Sequence, residues 1–365
     1  MMVNNYSKFK IIQHTILSDQ GGTAMIAGLI NSGLNARGWK SRVRSEIREG
    51  RGSGQAVSMR LEPQTVVHIH STLDWPATLD SCQRSGIRPL VTLHDASLIT
   101  GGCVYPLECT QWIDGCPECS RGYRDSEQSC SAKRQRLRVL GPFLISPSKW
   151  LAEMAQKVFQ ELEVRVIPNG VSPESGLQSN AHGLPDFSGD LVLFVAHGGT
   201  KAGYRSGTRW LSVWKMIKDA CPAARALFVG SQKMARTGDV FELPHIPNST
   251  LRSLMGRASV LVYPSLADNH PLVVLEAMMG RLPVAAFAAG GIPEQIRSAE
   301  TGMLVKPGNY EALAMAAVHI LKNKARAQKM AEKAFFRAMS MFSAEKMVQN
   351  YVRVYEKVIN IQETY

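Results

Sequence analysis

The architecture is most plainly written in VLVYPSLADNHPLVVLEAMMGRLPVAAFAAGGIPEQI, Val260–Ile296. Two short apolar runs, Ser259–Tyr263 and Pro283–Phe287, have the length and composition of buried parallel strands, and the segment between them has helical spacing. Together they predict one βαβ unit. Pro271 stands where a first-turn proline would, so the helix is expected to start there and run through Glu276 to Met279, with Gly280 as its stop. Its N-terminus then points out of the carboxyl edge of the sheet, where open α/β sheets bind ligands and backbone N–H groups attract phosphate.

Asp268 and Glu276 bracket that helix start. One carboxylate can take sugar hydroxyls, and the other can accept both hydroxyls of a ribose. By spacing alone the pair fits an ordinary helix with two solvated acids. The wider pattern says more: an acid, seven residues, Glu276, then Ala277–Met278, Gly280-x-x-Pro283–Val284 and Gly290–Gly291-x-x-Glu294. It resembles the nucleotide-sugar site of retaining GT-B glycosyltransferases of family 4, the group 1 glycosyl transferases. That resemblance implies an α/β GT-B fold of two Rossmann-like, doubly wound domains facing across a cleft. It also implies donor contacts from Asn269, His270, Pro271, Leu272, Val273 and Glu276, with Asp268 in the catalytic set. The family usually has Glu as the first acid, where this chain has Asp268.

A chain of 365 residues suggests two domains, and 45% hydrophobic content is ample for two cores. No apolar run approaches the length of a membrane span, and Met1–Lys10 is polar. The expected location is therefore cytoplasmic, or peripheral on the inner face of the cytoplasmic membrane. The net charge of +12 admits nucleic acid, anionic lipid or a diphosphate-bearing substrate. No RNA-binding aromatic signature or nucleic-acid type of zinc finger occurs, so nucleic acid is not expected. Anionic membrane is the better use of the charge, with a merely soluble basic protein equally consistent.

From the N-terminus, residues 9–15 read as a first strand and residues 18–24 as the turn into a helix. There Gly22, with Gly21, lets the backbone approach a diphosphate closely, although a plain βα turn explains the pair equally. Residues 65–70 and 89–95 read as buried strands ending in polar pairs. We expect His68 and His70 on opposite sides of their sheet, unable to share a metal ion, with His68 structural and His70 nearer the site. His94 ends a central strand, and Leu93–His94–Asp95 resembles the family's histidine that contacts the donor's sugar and phosphate.

Cys103, Cys109, Cys116 and Cys119 follow with the spacing C-x5-C-x6-C-x2-C. They suit either a structural zinc or a set of reduced, packed thiols. A similar insertion recurs in family members that build bacterial exopolysaccharides, colanic acid among them. Arg121, Arg124, Lys133, Arg134, Arg136 and Arg138 make a basic segment before a strand at 143–148. A solvated helix face or a patch for anionic lipid or a lipid-diphosphate acceptor would account for it.

The expected layout is an acceptor-binding N-terminal domain over 1–172, carrying a Cys-rich insertion at 100–130, and a linker over 173–189. A nucleotide-sugar-binding domain over 190–340 follows, then a terminal helix over 341–365 that returns to the first domain. In the loop after strand 191–196 the family places a Lys just before the second glycine. This chain has Ser206 there, so Arg205, helped by Lys201, is expected to hold the donor diphosphate. His245, in segment 241–247, falls where the family reads the nucleotide base.

The implied reaction is retaining transfer of a hexosyl unit from a nucleotide diphosphate sugar to a glycan or lipid-linked glycan, in cell-surface polysaccharide biosynthesis. No cofactor or catalytic metal is expected. Two other readings stand beside it: a GT-B nucleotide-sugar epimerase or hydrolase, and an inactive paralogue serving as a binding subunit.

Overall fold

The structure is a computed structural model that describes residues 8–18, 21–47, 62, 64–172 and 189–364. The chain forms two compact units, Met1–Gly170 with Ala344–Tyr365, and Val171–Ser343. Of the expected linker, only Gly189 lies among the described residues.

The first unit holds β1 (Lys10–Leu17), α1 (Gly21–Asn35), β2 (Lys40–Ile47), β3 (Thr65–Ile69), α2 (Trp75–Arg84) and β4 (Leu90–Thr92). It continues with α3 (Ser126–Leu140), β5 (Phe143–Ser146), α4 (Lys149–Val158) and β6 (Val164–Val166). The strands form one parallel sheet in the order β2-β1-β3-β4-β5-β6. Every residue of β3 and β4 is buried, as expected of a parallel sheet covered on both faces. The order reverses between β1 and β3, so the residues that follow those strands stand at the unit's topological switch point.

The second unit holds β7 (Leu191–Val195), α5 (Trp210–Ala220), β8 (Arg225–Val229), β9 (Ala235–Thr237), β10 (Val240–Leu243) and α6 (Asn248–Arg257). Then come β11 (Val260–Tyr263), α7 (Leu272–Met279), β12 (Val284–Phe287), α8 (Ile292–Gln295), β13 (Met303–Val305), α9 (Tyr310–Lys322) and α10 (Lys324–Met341). Its sheet runs β13-β12-β11-β7-β8-β10-β9, parallel except for the edge pair β9 and β10. The βαβ unit read from Val260–Ile296 is β11-α7-β12, and its strands pair in parallel. One boundary shifts: α7 begins at Leu272, and Pro271 caps it with extended backbone. Apolar side chains of alternating strand residues cover both sheet faces, one layer built on Leu261 and Val284, the other on Val260 and Phe287.

The terminal helix, α11 (Ala344–Thr364), belongs to the first unit and buries Tyr351 and Tyr355. No helix among the described residues is long and apolar enough to cross a membrane.

Two expectations about the insertion are corrected. Among the described residues, no group of three or more His, Cys, Asp or Glu is arranged to hold a metal, so structural zinc on Cys103, Cys109, Cys116 and Cys119 finds no support. Cys103 and Cys116 are buried instead, and Cys116 Sγ accepts the Gly101 N–H at 3.1 Å. Nor does the whole basic segment face outward, although Arg121, Arg124 and Arg138 are exposed. Lys133 is buried, and its Nζ donates to the Ser97 and Thr100 carbonyls at 2.7 Å each. Arg134 donates to the carbonyls of Ile99, Trp112 and Ile113, and Arg121 to that of Tyr105. Arg136 forks onto Asp80, and Arg138 meets Glu161. Lys133, Arg134 and Arg121 thus satisfy carbonyls of a long loop that has no ladder of its own. Changing Lys133 to Met should strand two carbonyls and lower the stability of this unit by about 2–4 kcal/mol. The midpoint of denaturant unfolding reads this, and an unmoved midpoint would mean that α3 does not hold the insertion.

Candidate active site

In the second unit the sheet order reverses between β7 and β11, so the loops leaving those two strands flank the switch point. The loop after β7 carries Arg205, and the loop after β11 carries Asp268. They meet: Arg205 donates to Asp268 Oδ2 from Nη2 at 3.0 Å and from Nε at 3.3 Å. The same oxygen accepts the Tyr263 hydroxyl at 2.7 Å. Asp268 is only 5% exposed, and a carboxylate so buried is tolerable because three N–H and O–H groups converge on it. Burial pushes the Tyr263 phenol well above its ordinary range, which keeps it a donor. Tyr263 is a partner the sequence did not single out, because an aromatic at the end of a buried strand reads as core.

Two glycines shape these loops. A Cβ on Gly290 would lie 2.1 Å from the Asp268 carbonyl oxygen, and the residue sits at φ +58°. The Gly291 N–H donates to that same carbonyl at 2.9 Å, so the Gly-Gly pair clasps the acid-bearing loop. On the other side, Gly199 at φ +50° lets the loop after β7 lie against Ser231, where a Cβ would come within 2.6 Å of its nitrogen. Gly290→Ala should cost more than about 2 kcal/mol, from positive φ and the clash together. Thermal unfolding and circular dichroism would check it; wild-type stability would show that the loop can move aside.

α7 starts four residues after Asp268, and the first-turn N–H groups of a helix have no intrahelical partner. Leu272 and Val273, in that turn, are half-buried. Glu276 lies in the next turn, 6% exposed, and Arg252 of α6 donates to its Oε1 at 3.3 Å. Burial raises its pKa, and Arg252 opposes the rise. Asn269 and His270 are buried. Gln295 Nε2 bridges His270 Nδ1 and the Pro271 carbonyl, both at 3.1 Å. Burial and Arg337 pull the His270 pKa down to about 3, so the ring is neutral at pH 7. Arg252 and Gln295 are not among the expected site residues, and only the packing of α6 and α8 reveals them.

Other expected residues stand apart. Lys201 is exposed and donates to Gln232 at 3.1 Å rather than joining Arg205. Ser206 is buried and shares a hydrogen bond with the Tyr310 hydroxyl at 2.9 Å. His245 is exposed in the loop after β10.

In the first unit, Gly22 lies in the first turn of α1, and His94 follows β4. His68 and His70 correct an expectation. Their rings lie 4.0 Å apart on the same side of β3, because residues two apart along a strand share a face. His70 Nδ1 lies 3.0 Å from His94 Nε2. Burial lowers the pKa of all three rings, that of His94 to about 4, so none carries charge at neutral pH.

Two Rossmann-like α/β units define the GT-B class of fold. The Anabaena protein HepE, solved in complex with UDP, is similar over 96% of this chain and 100% of its own, with a TM-score of 0.69 and 14% identity. Residues 213–336 match the family described as Glycosyl transferases group 1, a span that includes Arg252, Asp268, Glu276 and Gly290 but not Arg205. N-acetyl-alpha-D-glucosaminyl L-malate synthase of Bacillus anthracis is 26% identical over 153 residues, 42% of this chain and 36% of that protein. The putative colanic acid biosynthesis glycosyl transferase WcaC of Escherichia coli K12 is 24% identical over 283 residues, 73% of this chain and 68% of that protein. The chain thus spans about a third of the first of these relatives and two thirds of the second.

Proposed function

We propose that this protein is a retaining glycosyltransferase of the family-4 type. It moves a hexosyl unit from a nucleotide diphosphate sugar to a glycan or lipid-linked glycan in cell-surface polysaccharide biosynthesis. The observation that carries the reading is the pairing of Arg205 with Asp268 at the switch point, beside the start of α7 and with buried Glu276 one turn further on. The likeness to HepE and to WcaC supports a nucleotide-sugar donor and a polysaccharide product.

In this reading the second unit holds the donor and the first binds the acceptor. Glu276 accepts the ribose hydroxyls, Asp268 a sugar hydroxyl, and the N–H groups opening α7 receive the diphosphate. Arg205, released in part from Asp268, adds fixed positive charge as the diphosphate departs. Retention follows from front-face attack, in which the donor's phosphate oxygen takes the acceptor proton and no carboxylate nucleophile is used.

A panel of nucleotide diphosphate sugars, UDP-sugars first, should raise the unfolding temperature when the right donor binds. Turnover with bacterial glycan acceptors completes the test, and the absence of any stabilising donor would sink the proposal. Nucleotide release independent of an acceptor would favour a hydrolase or epimerase. A second reading, a non-catalytic binding subunit, draws on Ser206, which puts a buried hydroxyl bound to Tyr310 where the resembled family has a lysine. Calorimetric nucleotide binding without turnover would select it.

Asp268→Asn should lower turnover more than nucleotide affinity, because Asp268 addresses the sugar rather than the nucleotide. About a tenfold loss in kcat with nucleotide Kd changed less than threefold is expected. Equal losses in both would contradict the role.

A further inference from the structure

The first unit contains a buried run of polar side chains ending at His94. His94 Nε2 faces His70 Nδ1 at 3.0 Å, and His70 Nε2 faces Gln13 Oε1 at 2.9 Å. Gln13 Nε2 donates to the Tyr355 hydroxyl oxygen at 2.9 Å, and that hydroxyl lies 2.7 Å from His68 Nδ1. His68 Nε2 is 2.7 Å from Thr92 Oγ1, itself 3.0 Å from the Tyr351 hydroxyl. Tyr351 and Tyr355 come from α11, Gln13 from β1, and His68 and Thr92 from β3 and β4.

We infer that this chain of hydrogen bonds runs in one direction and holds His94 as its Nε2–H tautomer, making Gln13 and His70 positioning residues for His94. The amide of Gln13 sets the direction. Its oxygen only accepts, so His70 Nε2 must carry the hydrogen. His70 is neutral, since burial lowers its pKa well below the usual range, and its Nδ1 therefore holds a lone pair. The atom facing that lone pair, His94 Nε2, must then donate. The other arm agrees: Tyr355 accepts from Gln13 and donates to His68 Nδ1, His68 Nε2 donates to Thr92, and Thr92 donates to Tyr351. Each group between His94 and Tyr351 gives one hydrogen along the run and takes one; the Tyr355 hydroxyl also lies 3.3 Å from Gln13 Oε1, and the shorter contact to His68 Nδ1 takes its hydrogen. Turning the Gln13 amide over would reverse every bond and move the His94 hydrogen to Nδ1.

The consequence rests on the glycosyltransferase reading and on the resemblance at Leu93–His94–Asp95, which implies that His94 contacts the donor. A neutral ring with its hydrogen on Nε2, directed at His70, carries a lone pair rather than a hydrogen at Nδ1. It therefore suits a sugar hydroxyl, which donates, and not a phosphate oxygen, which does not.

Long-range proton–nitrogen correlation NMR on protein labelled with nitrogen-15 histidine tests the tautomer without any substrate, with His94→Gln assigning the signals. His94 and His70 should both carry hydrogen on Nε2 at pH 7; hydrogen on His94 Nδ1 would overturn the inference. Gln13→Met should leave the protein folded by thermal unfolding and mix the two tautomers of His94. It should also raise KM for the sugar nucleotide about fivefold with kcat changed less than about twofold. Tyr355→Phe, which keeps the arm from Gln13 to His94, should preserve the tautomer and gives a second readout should Gln13→Met not fold. A His94 tautomer unmoved in Gln13→Met, or scrambled in Tyr355→Phe, would overturn the inference. Absence of turnover with every donor would instead count against the transferase reading alone.

Discussion

Changing Arg205 to Ala is expected to lower kcat/KM for the sugar donor about a hundredfold or more. A departing diphosphate gathers negative charge, and removing one fixed donor aimed at such charge costs on the order of 10²–10³ in rate. Arg205 is the cation that the structure places beside Asp268 at the switch point, whereas Lys201 is exposed and engaged with Gln232. The substitution also leaves buried Asp268 with one fewer charged partner, so some stability should be lost with the rate. Arg205→Lys retains the charge but cannot fork onto Asp268 from two nitrogens, and should fall between the two. Steady-state rates on folded variants decide the matter. A rate for Arg205→Ala within threefold of wild type would remove Arg205 from the leaving-group role and leave the diphosphate to α7 alone.

Glu276→Gln should weaken nucleotide binding by roughly tenfold or more. In the proposed complex its carboxylate accepts two charge-assisted bonds from ribose, worth about 1.5–3 kcal/mol each. Gln keeps the shape and one acceptor but loses the charge, and Arg252, 16% exposed, would then face a neutral amide. A nucleotide lacking one ribose hydroxyl supplies the control. Wild type should bind it poorly, and the Gln variant should lose most of that preference. Calorimetry that finds unchanged affinity in a folded variant would mean that α7 does not face a nucleotide, and the glycosyltransferase reading would fall with it.

The site was legible where a motif carries its own geometry. Pro271, Glu276 and Gly280 mark a helix start, its second turn and its end, and the boundary moved by a single residue because Pro271 caps the helix instead of opening it. The Gly290–Gly291 pair was legible as a motif, yet its physical purpose, room for the Asp268 carbonyl, appears only when the loop after β12 meets the loop after β11. The basic segment misled because charge in a sequence carries no address. Lys133 and Arg134 lie on the side of α3 that faces the insertion, so their cations meet carbonyls rather than solvent. His68 and His70 misled for a simpler reason, since the period of a strand puts both on one face.

The elements and the neighbourhood of the site are written locally along the chain. Buried apolar runs, helix boundaries and glycine-rich turns are local properties, governed by backbone sterics and by the period of each element. The partners come from packing between elements. Arg205 on Asp268, Arg252 on Glu276, Tyr310 on Ser206 and Tyr355 on Gln13 join residues that their own elements do not bring together. A buried polar group must find a hydrogen bond wherever the folded chain offers one, and that choice depends on which elements the sheet order and helix packing make neighbours.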